Sequence, residues 1–152
     1  MMATDAWYHP EFPPFPSRQR PGSNWRRFVI ATLGELPAVL DELEVEMRGA
    51  EVSLKVQFAI RLSLEEAVAN AIRHGHRGNP ALQVRICWCL TSQRWLGEVQ
   101  DCGPGFDVYS VLPQALGTGH GIALMRRYLN WLRYNHLGNR VVLCKYLGPR
   151  AA

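Results

Sequence analysis

No apolar run in this sequence approaches the roughly 20 residues that a membrane-spanning helix needs. The N-terminal stretch "MMATDAWYHPEFPPFPSRQR" lacks the apolar segment of a secretory signal, so a cytoplasmic location is expected. Cysteine is scarce, at four residues in 152. A chain this long can build a hydrophobic core without a disulfide framework, so Cys87, Cys89, Cys102 and Cys144 are expected as reduced, mostly buried thiols. His74-x-His76 and Cys87-x-Cys89 do not have the usual spacing of zinc ligands, which places two or more residues between cysteines. Acid is missing altogether after Asp107, while Arg126, Arg127, Arg133, Arg140, Lys145 and Arg150 follow it. Such a tail is either a solvated basic face or a surface for an anionic ligand, an acidic partner or nucleic acid. No helix-turn-helix, zinc-finger or RNP pattern accompanies the charge, which argues against nucleic acid.

What is present reads as one α/β domain. Residues 1–24 hold half of the prolines and form an arm, residues 25–147 form the domain, and residues 148–152 form a tail. "NWRRFVIATL" (24–33) predicts a strand. Helical spacing of Leu36, Val39, Leu40, Leu43 and Met47 predicts a helix over 35–49. A longer helix is expected over 52–75, with Val56, Phe58 or Ala59, Leu62, Ala67 and Ile72 on its apolar side and Gly75 at its end. Strands follow at "LQVRICWCL" and "RWLGEVQD", then a glycine-rich loop over 102–121. Next comes a helix through "IALMRRYLNWL", and last a hairpin around Leu137-Gly138-Asn139. The order suits a two-layer α/β sandwich: a mixed, mostly antiparallel sheet with helices on one face.

Three segments carry chemistry. In "LEEAVANAIRHG", Glu66, Asn70 and His74 recur every four residues and share one face of the helix. The bland alternative is a solvated helix side. The flanking Ala67, Ala69 and Ala71 are small, however, and leave room for a ligand. A carboxylate is a general base, and an amide oxygen is a hard ligand for Mg²⁺. In "VQDCGPGFD" a strand ends at Asp101, where Gly103 and Gly105 free the backbone. D-x-G is common turn chemistry. It is also a place where a carboxylate accepts a hydrogen bond from a ligand amine and a flat ring approaches the chain. In "GTGHGIALM", alternate glycines run into a helix, whose backbone N–H groups suit phosphate. The commoner phosphate loops and the protein-kinase signatures are absent.

Taken together and in this order, the segments resemble the GHKL ATPase superfamily, the Bergerat-fold group, over roughly residues 25–147. Within it, "LEEAVANAIRHG" and the ending "GNRVVLCKYL" are similar to the small bacterial anti-sigma-factor serine/threonine kinases. The resemblance implies ATP and Mg²⁺. Glu66 would be the general base and Asn70 the metal ligand, with His74 orienting the site. Asp101 would bond the adenine amine, with Gly103, Gly105 and Phe106 against the ring. Thr118, Gly119, His120 and Gly121 would hold the phosphates. It further implies a sigma factor and a STAS-type anti-sigma antagonist as partners, and a homodimer. Other readings are the same ATP site serving a different protein target, and a catalytically weak protein-binding module. The segment between the glycine boxes, "VYSVLPQALGT", carries no Arg or Lys, and Asn139 stands where relatives often have Thr.

Overall fold

The computed structural model describes residues 24–105, 121–135 and 137–148. Among these residues, a five-stranded sheet carries three helices. Strand β1 (Arg26–Ile30) leads through a 3₁₀ turn (Leu33–Glu35) into helix α1 (Leu36–Gly49) and helix α2 (Leu54–Asn70), which ends in a π-type turn (Ala71–Gly75). Strands β2 (Val84–Leu90) and β3 (Arg94–Gln100), helix α3 (Gly121–Tyr128), and strands β4 (Trp131–Tyr134) and β5 (Arg140–Tyr146) complete it. The strand order is β1-β2-β3-β5-β4. Each of the four pairings is antiparallel, so the sheet is antiparallel throughout the described residues rather than mixed. No helix among the described residues is long and apolar enough to cross a membrane.

Local chemistry caps the first two helices. The Glu35 carboxylate accepts the N–H groups of Ala31 and Thr32, both at 2.8 Å, and so closes a capping box at the turn into α1. Those backbone donors, Ala31 first, hold its pKa below the usual carboxylate value. Helix α1 buries Leu36, Val39, Leu40, Leu43 and Met47, the stripe read from spacing. Of its acids, Glu42 pairs with Arg26 at 2.7 Å, Glu44 pairs with Arg61 of α2, and the half-buried Glu46 accepts the Trp88 Nε1–H at 2.8 Å. Exposed pairs of this kind are worth little.

Helix α2 is capped by Ser53, whose Oγ accepts the Val56 N–H at 3.3 Å. Its deepest residues are Ile60, Leu64 and Val68, each 0% exposed. At the open choice between Phe58 and Ala59, Ala59 is buried and Phe58 lies 57% exposed, edge-on to Tyr128 of α3. The difference from the expected stripe has a packing cause. Helix α2 touches α1, α3 and the sheet together, so its buried arc is wider than one amphipathic face. In the sheet, Val84, Ile86 and Trp88 of β2 face the core, and Phe28 stacks on Trp88 with centroids 4.7 Å apart.

The C-terminal third departs from the sequence reading. The predicted helix through Leu132 stops at Tyr128, and Trp131–Tyr134 is a strand. Lys145 Nζ donates to the Tyr128 carbonyl at 2.7 Å, satisfying the helix end. Asn130 then ties to β5 through its own N–H to the Cys144 carbonyl and through its side chain to the Tyr146 N–H. The final hairpin therefore begins at Trp131, inside the run read as helix. It also disperses the basic tail. Lys145 is engaged with α3, and Arg140 pairs with the buried Glu98 at 3.0 Å between β3 and β5. Of the thiols, Cys144 is buried, Cys87 and Cys89 are half-buried, and Cys102 is exposed, so the expectation of mostly buried thiols is corrected.

Candidate functional site

Two ends of one helical segment build the site. At the first, Glu66 and Asn70 sit half-buried, four residues apart on α2. The start of α3 comes against them. A β-carbon built on Gly121 would lie 2.5 Å from Glu66 Oε2 and 3.3 Å from Asn70 Nδ2. Only glycine lets the α3 N-terminus approach these two side chains so closely. A carboxylate, an amide oxygen and the positive end of a helix are thereby brought together. This donor set fits Mg²⁺ and the phosphates it accompanies: Mg²⁺ takes oxygen ligands, needs few from protein, and keeps waters and phosphate oxygens for the rest.

At the second end, the chain winds more widely. The His76 N–H donates to the Ala71 carbonyl at 2.9 Å, a reach of five residues rather than four. Such π-type turns occur preferentially at functional sites. The turn sets Gly75 against the end of β3. A β-carbon on Gly75 would stand 2.5 Å from the Asp101 carboxyl carbon, and one on Gly103 would collide with the Gly75 carbonyl. Gly105, with φ of +79°, packs on the Leu137 carbonyl in the β4–β5 turn. The Asp101 N–H donates to the Asn139 carbonyl at 2.9 Å, and Asp101 Oδ1 accepts the Gly103 N–H at 2.7 Å.

Asp101 is 8% exposed. Burial raises its pKa above the ordinary aspartate value, against the pull of the Gly103 N–H. Burial likewise raises the pKa of Tyr134, and the Asp101 charge adds to that rise. A partly desolvated carboxylate, fixed by a glycine backbone and with one oxygen committed, is suited to accept a hydrogen bond from a ligand donor. Nine residues of rise separate Glu66 from Gly75, roughly 13 Å along the axis. The acceptor end and the carboxylate–amide end therefore lie on one wall, well apart.

The structure brings together Glu66, Asn70 and Gly121 at one end, and Asp101, Gly103 and Gly105 at the other. It does not bring in His74, which is exposed. His76 is in the wall instead, 3% exposed. The extra residue in the π-type turn slips the register of the strip, so the i, i+4, i+8 count fails at its third member. The sequence-predicted Phe106, Thr118, Gly119 and His120 lie outside the described residues. Gly75, His76 and Asn139 were not read as site residues. The "HGHRG" run and Asn139's place where relatives often have Thr are the available signals. Among the described residues, no group of three or more His, Cys, Asp or Glu side chains is placed to hold a metal ion by itself.

Comparison with curated proteins finds no match. The description of a histidine kinase-like ATPase domain matches residues 29–145, from within β1 to within β5. That span takes in part or all of each of the five strands, all three described helices and both ends of the site. The chain therefore belongs to the histidine kinase-like ATPase domain family.

Proposed function

We propose that this chain binds ATP with Mg²⁺ and transfers the terminal phosphate to a serine or threonine of a partner protein. One observation carries the reading: Glu66 and Asn70 meet the α3 N-terminus at one end of a helical wall, while Asp101 is clamped between glycine backbones at the other. Family membership supports adenine nucleotide as the ligand. Asp101 accepts the adenine amine, and the Gly103–Gly105 backbone lies against the base. Asn70 supplies one oxygen to the metal. When bound, Mg²⁺ neutralises and aligns the phosphate oxygens. Glu66 accepts the proton of the attacking hydroxyl.

The likeness of "LEEAVANAIRHG" and "GNRVVLCKYL" to anti-sigma-factor kinases supports a finer reading. The chain then acts as an anti-sigma factor in a partner-switching pathway. It holds a sigma factor, phosphorylates a STAS-type antagonist, and works in the cytoplasm as a homodimer. Calorimetric titration with ADP and ATP, with and without Mg²⁺, tests the nucleotide site. Full affinity that requires Mg²⁺ supports the reading, and no binding at millimolar nucleotide overturns it. Incubation of the chain and radiolabelled ATP with a STAS-type antagonist tests the finer one. Label on a serine or threonine supports it, and no label overturns it.

A further inference from the structure

Three successive N–H groups leave β3, and each is used differently. Asp101 donates to the Asn139 carbonyl in the β4–β5 turn, and Gly103 donates back to Asp101 Oδ1. Between them, the Cys102 N–H donates to His76 Nε2 at 2.8 Å. This hydrogen bond ties the Asp101 segment to the turn that follows the helix bearing Glu66 and Asn70. The imidazole is itself fixed. His76 is 3% exposed, its N–H donates to the Ala71 carbonyl, and its carbonyl accepts the Asn79 N–H at 3.0 Å. Accepting at Nε2 makes the ring the neutral tautomer with its hydrogen on Nδ1. Nδ1 is buried without a hydrogen-bond partner among the described residues. A buried polar nitrogen left unpaired is unfavourable. An apolar side chain would remove that penalty but leave the Cys102 N–H without its acceptor, so what the imidazole supplies here is the hold on Cys102.

We infer that His76 is a positioning residue that sets base specificity. By holding the Cys102 N–H, it fixes the Asp101 carboxylate with Oδ1 on Gly103 and the other oxygen left for the ligand. Its role rests on the reading that Asp101 accepts the adenine amine. Guanine presents a carbonyl oxygen where adenine presents that amine. A rigid carboxylate therefore selects ATP and repels GTP, because a site built around one hydrogen bond rejects an analogue that leaves it unmade. A loosened carboxylate swings away from the mismatch and loses the distinction.

The test uses the full chain with His76→Leu, which removes the acceptor, and His76→Gln, whose amide oxygen reaches about as far as Nε2. His76→Asn is the second control, since its amide is one methylene shorter. Mg·ATP and Mg·GTP affinities are measured by calorimetry, the Cys102 amide by hydrogen exchange, and folding by thermal unfolding. His76→Leu is expected to weaken ATP binding about tenfold, to reduce the ATP-over-GTP preference by a similar factor, and to speed Cys102 amide exchange. His76→Gln is expected to stay within about threefold of wild type on each readout. If His76→Leu does not fold, the comparison is His76→Gln against His76→Asn, and only the shorter amide should lose the preference. Wild-type preference in His76→Leu, or in His76→Asn, overturns the inference even if the melting temperature falls. The parallel variant Asp101→Asn separates the two levels. If it too keeps ATP affinity and preference, the adenine reading itself fails. If it loses them while the His76 variants do not, only the role of His76 fails.

Discussion

Replacing Asp101 by Asn separates binding from stability, because the structure predicts that the two move in opposite directions. The carboxylate is 8% exposed, and burial raises its pKa above the ordinary aspartate value. A group whose folded pKa exceeds its unfolded value binds its proton more tightly in the folded state. Stability therefore falls as pH climbs from the unfolded pKa through the folded one, and stays lowered above it. Asn carries no charge and keeps an oxygen for the Gly103 N–H that Asp101 Oδ1 accepts at 2.7 Å. Asp101→Asn is thus expected to melt at or above the wild-type temperature at pH 7, with the gap narrowing toward pH 4. In the same variant the proposed charge-assisted bond to the adenine amine would be lost. Such a bond contributes about 1.5–3 kcal/mol, so the dissociation constant should rise by about 10- to 150-fold. Calorimetry with Mg·ATP and thermal unfolding across pH 4–8 measure both effects. Wild-type affinity in the variant would refute the assignment of the amine to Asp101. An affinity loss that tracks a falling melting temperature would refute the account of its buried charge.

Glu66→Ala should cut phosphate transfer from Mg·ATP by at least about a hundredfold, the scale of general-base catalysis, while leaving the ATP dissociation constant within about threefold. Radiolabelled ATP turnover beside calorimetry checks this, and a wild-type rate would remove Glu66 from the chemistry. In Gly121→Ala the new methyl would press on Glu66 Oε2, at 2.5 Å, and on Asn70. Turnover should fall more than nucleotide affinity, and equal losses would argue that the methyl disturbs the phosphate site as a whole. Thiol reagents should modify the exposed Cys102 first. Cys144 should be spared until the fold opens, since it is buried and burial pushes its pKa up to about 11. Mass mapping after brief alkylation at pH 8 tests that order.

The contrast between the α1 and α2 readings shows how far the sequence was legible. Helix α1 rests one face on the core, so a single period recovered all five of its buried residues. Helix α2 packs on several sides at once, so no one period described it, and Phe58 and Ala59 could be told apart only by what stood opposite them. The run after Tyr128 has helical periodicity. It became a strand because Lys145 and Asn130 tie it to β5, partners more than a dozen residues distant. The same limit governed the site. Glu66 and Asn70 lie within regular helix, where spacing is geometry. His74 and His76 lie beyond it, where a wide turn decides which imidazole faces inward.

The sequence by itself determined the α/β class, the α1 stripe, and the order of a carboxylate–amide pair, a D-x-G turn and a glycine-led helix. These depend on residues near one another in the chain, whose relations follow from helix and turn geometry. Only the tertiary structure decided that Gly121 meets Glu66, that Asp101 is clamped between Gly75 and Asn139, and that His76 rather than His74 holds the loop. Those contacts join residues from 26 to 55 positions apart, and their geometry is set by how the helices lie across the sheet.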